Sequence, residues 1–163
     1  MHVVFRALGP VAVECGGAPL SLRPMEQTLL AVLLARQRHW ASTDELIELL
    51  WPDQPARNAT NSLRVHAHRL RGQFREMGRH RLVTESSGYR LVVEQGELDL
   101  ATFESAARRA REQWPRDPAY ACAIVREALE LWRGDPFCDI EAGFARDAAQ
   151  RLVVVREGLL STL

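Results

Sequence analysis

The chain has 163 residues, 47% hydrophobic and 26% charged, with 21 basic residues balanced by 21 acids. That is long enough for one domain or two small ones with a real core. Every basic residue is Arg, so no Walker lysine, Schiff-base lysine or lysine general base exists. No apolar run approaches membrane-helix length, and the first residues lack a signal-peptide pattern. Cys15, Cys122 and Cys138 are odd in number and scattered, which fits a reducing cytoplasm. Charge is divided: residues 1–96 carry 12 Arg, 9 acids and all five His, while residues 97–163 carry 9 Arg and 12 acids. Two modules with different partners are expected, over 1–95 and 97–163.

In chain order, residues 3–8, 11–15 and 18–22 are short apolar or β-branched runs separated by Gly9-Pro10 and Gly16-Gly17. They predict a small antiparallel sheet. Pro24 suits a first helical residue. The block Leu29-Leu30-Ala31-Val32-Leu33-Leu34-Ala35 within residues 27–38 predicts a buried helix of about 14 residues. Ser42 with Glu45 is a capping box opening a short helix, which Pro52 and Pro55 end.

The stretch from Pro55 to Met77 follows. Ala59, Leu63, Ala67, Leu70, Phe74 and Met77 recur at helical spacing and define one buried stripe. Counting about 100° per residue from Leu63, Arg57, Asn61, Val65, His68 and Gly72 lie opposite, with Arg64, Arg69, Arg71 and Arg75 on the flanks or outer face. Residues 57–81 hold seven Arg and one acid, Glu76. Arg can pair with guanine or phosphate, Asn with adenine, and Val with a thymine methyl. The same pattern also describes a solvated basic face, and this helix alone leaves both open. A capped helix, a tight turn and a basic helix form a helix-turn-helix. Residues 81–85 and 89–93, joined by Ser86-Ser87-Gly88, predict a hairpin, which would be a wing carrying Arg90.

Beyond Gly96 the periodicity is helical: residues 103–114, 121–132 and 144–163, broken at Pro115, Pro118 and Gly134-Asp135-Pro136. This predicts tetratricopeptide-like helical hairpins. The last helix ends in Leu159, Leu160 and Leu163 instead of a polar capping repeat, which implies a truncated or very short module. Asp135 and Asp139 read as caps or turn formers, and Trp40, Trp51, Trp114 and Trp132 as core. His66 and His68 diverge by about 200° and cannot share a metal. No nucleotide-binding motif occurs, Cys15 has no neighbouring base, and no cofactor or metal is expected.

Leu8-Gly9-Pro10, Thr43-Asp44-Glu45-Leu46-Ile47, Leu50-Trp51-Pro52, residues 63–71 and Gly88-Tyr89-Arg90-Leu91 together resemble the winged helix of the Streptomyces antibiotic regulatory protein family. Residues 129–136 with Phe144-Ala145 resemble that family's bacterial transcriptional activation domain. The resemblance implies an α+β, OmpR-like winged helix over 1–95, with an N-terminal sheet, three helices and a wing, then an all-α tetratricopeptide-like module over 97–163. It implies a cytoplasmic, nucleoid-associated activator that binds promoter direct repeats in double-stranded DNA, pairs as a homodimer there, and recruits RNA polymerase holoenzyme at secondary-metabolite gene clusters. By motif position, Asn61, Arg64, Val65, His68 and Arg69 would read bases. Arg57, Thr60, Arg71, Arg75 and the wing's Arg90 would contact the backbone. No receiver domain, phosphorylation site or appended ATPase is expected. A protein-interaction module built on the helical hairpins is the alternative; an enzyme has least support.

Overall fold

The computed structural model describes residues 2–163, the side chain of Ala56 excepted. Strands β1 (Val3–Arg6), β2 (Ala12–Cys15) and β3 (Ala18–Pro19) form an antiparallel meander. Alternation sends Val3, Phe5, Val13 and Cys15 inward. The third strand is only two residues long, shorter than its run of 18–22 suggested.

Helix α1 (Pro24–Ala35) has Pro at its first turn, and Leu29 through Leu34 are all buried, so it is covered on every side. It stops earlier than expected, because Arg36 takes extended backbone, and a 3-10 turn, Gln37–His39, follows with Arg38 and His39 at positive φ. The chain then forms a strand that periodicity missed: β4 (Trp40–Ser42). Ser42 closes it and caps α2 (Thr43–Leu50), its hydroxyl accepting from the Glu45 amide at 3.1 Å.

Helix α3 (Ala56–Glu76) buries the expected stripe at Ala59, Leu63, Ala67, Leu70 and Phe74, all within 1% of full burial, while Met77, just past its end, is only half-buried. Gly78 at φ +71 ends it, with the Arg79 amide donating back to the Phe74 carbonyl. Strands β5 (Leu82–Glu85) and β6 (Gly88–Leu91) make the hairpin, turned by Ser86 and Ser87, both in left-handed geometry. The wing is a three-stranded sheet, ordered β4-β6-β5, not an isolated hairpin. Gly88 is required there, since a Cβ would fall 2.3 Å from the Ala41 carbonyl.

Helices α4 (Asp99–Gln113) and α5 (Pro118–Leu129) pack as a hairpin, and α6 (Gly143–Leu160) packs against α1 and α5. Trp132 meets Phe103 edge-on at 5.2 Å, and Arg156 lies 4.6 Å over its ring. None of the four Trp is fully buried, contrary to expectation: Trp51 and Trp132 are half-buried against the core, Trp40 is half-buried beside the wing turn, and Trp114 is 38% exposed.

The two stretches share one core. Phe5 bridges Leu98, and the Phe5 amide donates to the Glu97 carbonyl. Asp99 accepts from the Ala7 and Leu8 amides at 2.8 and 3.1 Å. The turn at Gly9-Pro10 is gripped from the other side. The Arg133 amide donates to the Leu8 carbonyl, its guanidinium to the Pro10 carbonyl, and Asp139 accepts from the Val11 amide and the Gln27 side chain. Asp139, expected as a cap or turn former, ties α1 to the helical half.

Candidate nucleic-acid interface

The outward surface of α3 is polar along its length. Asn61, Arg64, Val65, His68 and Arg69 are all exposed, as are Arg57 and Arg75. Val65 is 47% exposed on a helix whose other described apolar side chains face the core. An isolated Val on a surface is ordinary by itself. Here it lies between Asn61, Arg64 and His68, which gives the face a methyl-bearing centre flanked by hydrogen-bonding groups. Among the described residues, the exposed side chains of Arg57, Arg64 and Arg75 take part in no hydrogen bond or ion pair.

The flanks differ. On the α1 and α2 side, the His66 ring stacks on Trp51 at 5.8 Å and places Nδ1 3.2 Å from the buried Glu26 carboxylate. His66 and His68 therefore point apart, as their spacing required. On the wing side, Arg71 donates from Nε to the Leu82 carbonyl and from Nη2 to the Thr84 hydroxyl, both at 3.1 Å. Arg90 pairs with Glu85 at 2.6 Å, and the Trp40 indole donates to the Glu85 carbonyl. Thr60 is half-buried. Two guanidinium groups expected at phosphates are thus already engaged: Arg71 holds the wing to the helix, and Arg90 is paired within it. The basic excess of residues 57–81 also overstates the surface, because Arg81 is buried against Glu97.

Gly72 lies on the outward face one turn beyond His68, and nothing sits within 4 Å of a Cβ built there. Its φ is ordinary for a helix, so no conformational need for Gly exists. Gly72→Ala is therefore expected to stabilise the fold by about 0.5–1 kcal/mol. Chemical denaturation would show a raised midpoint; a lowered one would mean that the space over Gly72 is needed in the free protein.

Among the described residues, no group of three or more His, Cys, Asp or Glu is placed to hold a metal ion. Burial is the main cause that pushes the Cys15 thiol above its ordinary value, the opposite of an activated nucleophile. No helix is long and apolar enough to cross a membrane.

Sequence signals for Glu26, Asp99 and Asp139 were weak: each is an acid of unremarkable spacing whose partners lie far away in sequence.

Comparison with known proteins finds two family matches along the chain. Residues 17–91 match the family described as transcriptional regulatory protein, C terminal, and residues 98–162 match the bacterial transcriptional activator domain. The chain is 36% identical over 104 residues to the regulatory protein AfsR of Streptomyces griseus, covering 63% of this chain and 10% of AfsR. It is 30% identical over 103 residues to the transcriptional regulatory protein EmbR of Mycobacterium tuberculosis, covering 61% of this chain and 26% of EmbR. The chain thus spans a small part of these regulators. A solved structure of Mycobacterium tuberculosis EmbR in complex with a low-affinity phosphopeptide superposes with a TM-score of 0.88 at 24% identity, over 97% of this chain and 43% of that one, and shares its fold. With a regulatory domain and an activator domain in that order along one chain, and with AfsR among its relatives, this protein belongs to the Streptomyces antibiotic regulatory protein family.

Proposed function

We propose that this chain is a sequence-specific module that binds double-stranded DNA and activates transcription. The observation that carries the reading is the outward face of α3. Asn61, Arg64, Val65 and His68 are exposed together, opposite a fully buried stripe, with unpaired Arg57 and Arg75 at the margins. A helix of this kind fits the major groove. Asn61, Arg64, Val65, His68 and Arg69 read base edges. Arg57, Thr60 and Arg75 meet phosphates, and Arg71 positions the wing, where Arg90 meets the backbone only by leaving Glu85.

The helical half contacts protein. Among the described residues, the exposed large apolar side chains other than Val65 are Trp114, Tyr120, Val154, Leu160 and Leu163, all on this half. Such a surface suits RNA polymerase holoenzyme, and side-by-side homodimers on promoter direct repeats would place two copies of it upstream of a promoter. The chain's family suggests target genes in secondary-metabolite clusters.

Selection of bound duplexes from a random pool tests the reading. A recovered direct repeat supports it; an unenriched pool with retention of a protein partner would favour an interaction module instead. On the recovered site, affinity falls as salt rises, with a slope tracking the number of phosphate contacts. Arg64→Ala is expected to weaken that site by about 1–3 kcal/mol more than random DNA. Equal weakening of both, measured by titration at fixed salt, would leave Arg64 a phosphate contact.

A further inference from the structure

Glu26 is a buried acidic side chain at the seam between α1 and α3. It stands on α1, three residues before the buried leucine block, and is 2% exposed. Its Oε1 faces two residues of α3: His66 Nδ1 at 3.2 Å and Arg69 Nη1 at 3.9 Å. Its Oε2 takes no hydrogen bond from the described residues. A buried carboxylate that is only half satisfied is a poor device for stability, since desolvation opposes it and an apolar residue would pack there. Something other than stability accounts better for its presence.

We propose that Glu26 is a positioning residue for sequence discrimination, holding the Arg69 guanidinium at the edge of the α3 reading face so that its free donors meet a base. The proposal rests on the DNA-binding reading above. At 3.9 Å the carboxylate attracts Arg69 without consuming a directed hydrogen bond, which leaves the donor fork available. The Arg69 side chain is 47% exposed, so those donors face outward. His66, fixed by its stack on Trp51, approaches the same Oε1 and keeps the carboxylate aimed toward α3. Beside the pair lies a cavity of about 300 Å³, lined by Arg23, Glu26, His68, Arg69 and Gly72 among others. Without its anchor, Arg69 has that space to sample, and its guanidinium drifts to whichever phosphate is nearest. A mobile Arg still binds DNA but no longer distinguishes sequences, because phosphates carry no base identity.

A double-mutant cycle on the selected duplex tests this, reading the ratio of specific to random-sequence affinity and the thermal midpoint for each variant. Glu26→Gln is expected to lower the ratio about tenfold with random-DNA affinity nearly unchanged. In an Arg69→Ala background the same change should have no further effect on the ratio. Overturning results are an unchanged ratio, an equal loss on both DNAs, or the same loss of ratio when Arg69 is already Ala. If Glu26→Gln does not fold, the cycle runs with Glu26→Asp, which keeps the charge but withdraws it from Arg69. If the random pool yields no duplex at all, the DNA-binding reading has failed; a duplex with a null cycle overturns only the role of Glu26.

Discussion

Glu97→Ala is expected to destabilise the protein by about 3–5 kcal/mol, because it strands a buried Arg. Arg81 and Glu97 are 5% and 7% exposed, and they pair bidentately at 2.7 and 2.8 Å. Arg81 also donates to the Val92 carbonyl, and Glu97 accepts from the Glu94 amide. The pair thus ties the exit of the wing to the linker that leads into α4. Removing one partner leaves an uncompensated charge, whereas the joint replacement Arg81→Met with Glu97→Leu should recover most of the loss. Urea unfolding monitored by circular dichroism measures both, and a single-site loss under 1 kcal/mol would mean that Arg81 reaches solvent.

The same pair sets a pH dependence. Burial taken alone would raise the Glu97 pKa, but the Arg81 hydrogen bonds, the Glu94 amide and nearby positive charge outweigh it and hold the carboxyl below its ordinary value. A depressed acid contributes stability that is present above the unfolded glutamate pKa and lost as pH falls through the folded one. The difference in midpoint between the parent and Glu97→Gln should therefore be constant near neutrality and shrink in acid. Asp99 acts in the opposite sense. Burial is the dominant cause, and it raises its pKa despite the amides that hydrogen-bond to it. Its ionisation is a cost above the folded pKa, relieved as pH falls.

Asp99→Ala is the second large expected loss. Asp99 accepts from the Ala7 and Leu8 amides, far back in sequence, and from the Leu100 amide beside it. Truncation leaves Ala7 and Leu8 with buried N–H groups and no acceptor, at about 1–3 kcal/mol each. Asp99→Asn should lie between, since an amide offers one acceptor oxygen but turns donors toward the second N–H. The loss should concentrate where the two halves meet. Amide exchange at Ala7 and Leu8 should quicken more than that of the α3 core, and unchanged protection there would sink this account. Because Phe5, Leu98 and Phe103 belong to a single buried cluster, the parent should unfold in one cooperative transition.

Much of the outline was legible in the residues. The period of Ala59, Leu63, Ala67, Leu70 and Phe74 set which side of α3 is buried, so it also set which side carries Asn61, Val65 and His68. Ser42 with Glu45 and the Gly- and Pro-marked turns fixed element ends, because capping and positive φ are local properties. Those are statements about neighbours within a few residues, which a chain carries wherever it folds.

What a polar side chain meets across the fold is another matter. Trp40-Ala41-Ser42 is too short to announce itself as a strand and becomes one only because β6 lies beside it. Arg71, Arg81 and Arg90 are alike in a sequence of Arg, yet one braces the wing, one is buried against Glu97 and one pairs with Glu85. Glu26, Asp99 and Asp139 owe their roles to partners tens of residues away. Periodicity tells which face of an element leaves water; the packing of elements decides which charges meet, and so which Arg side chains remain unpaired.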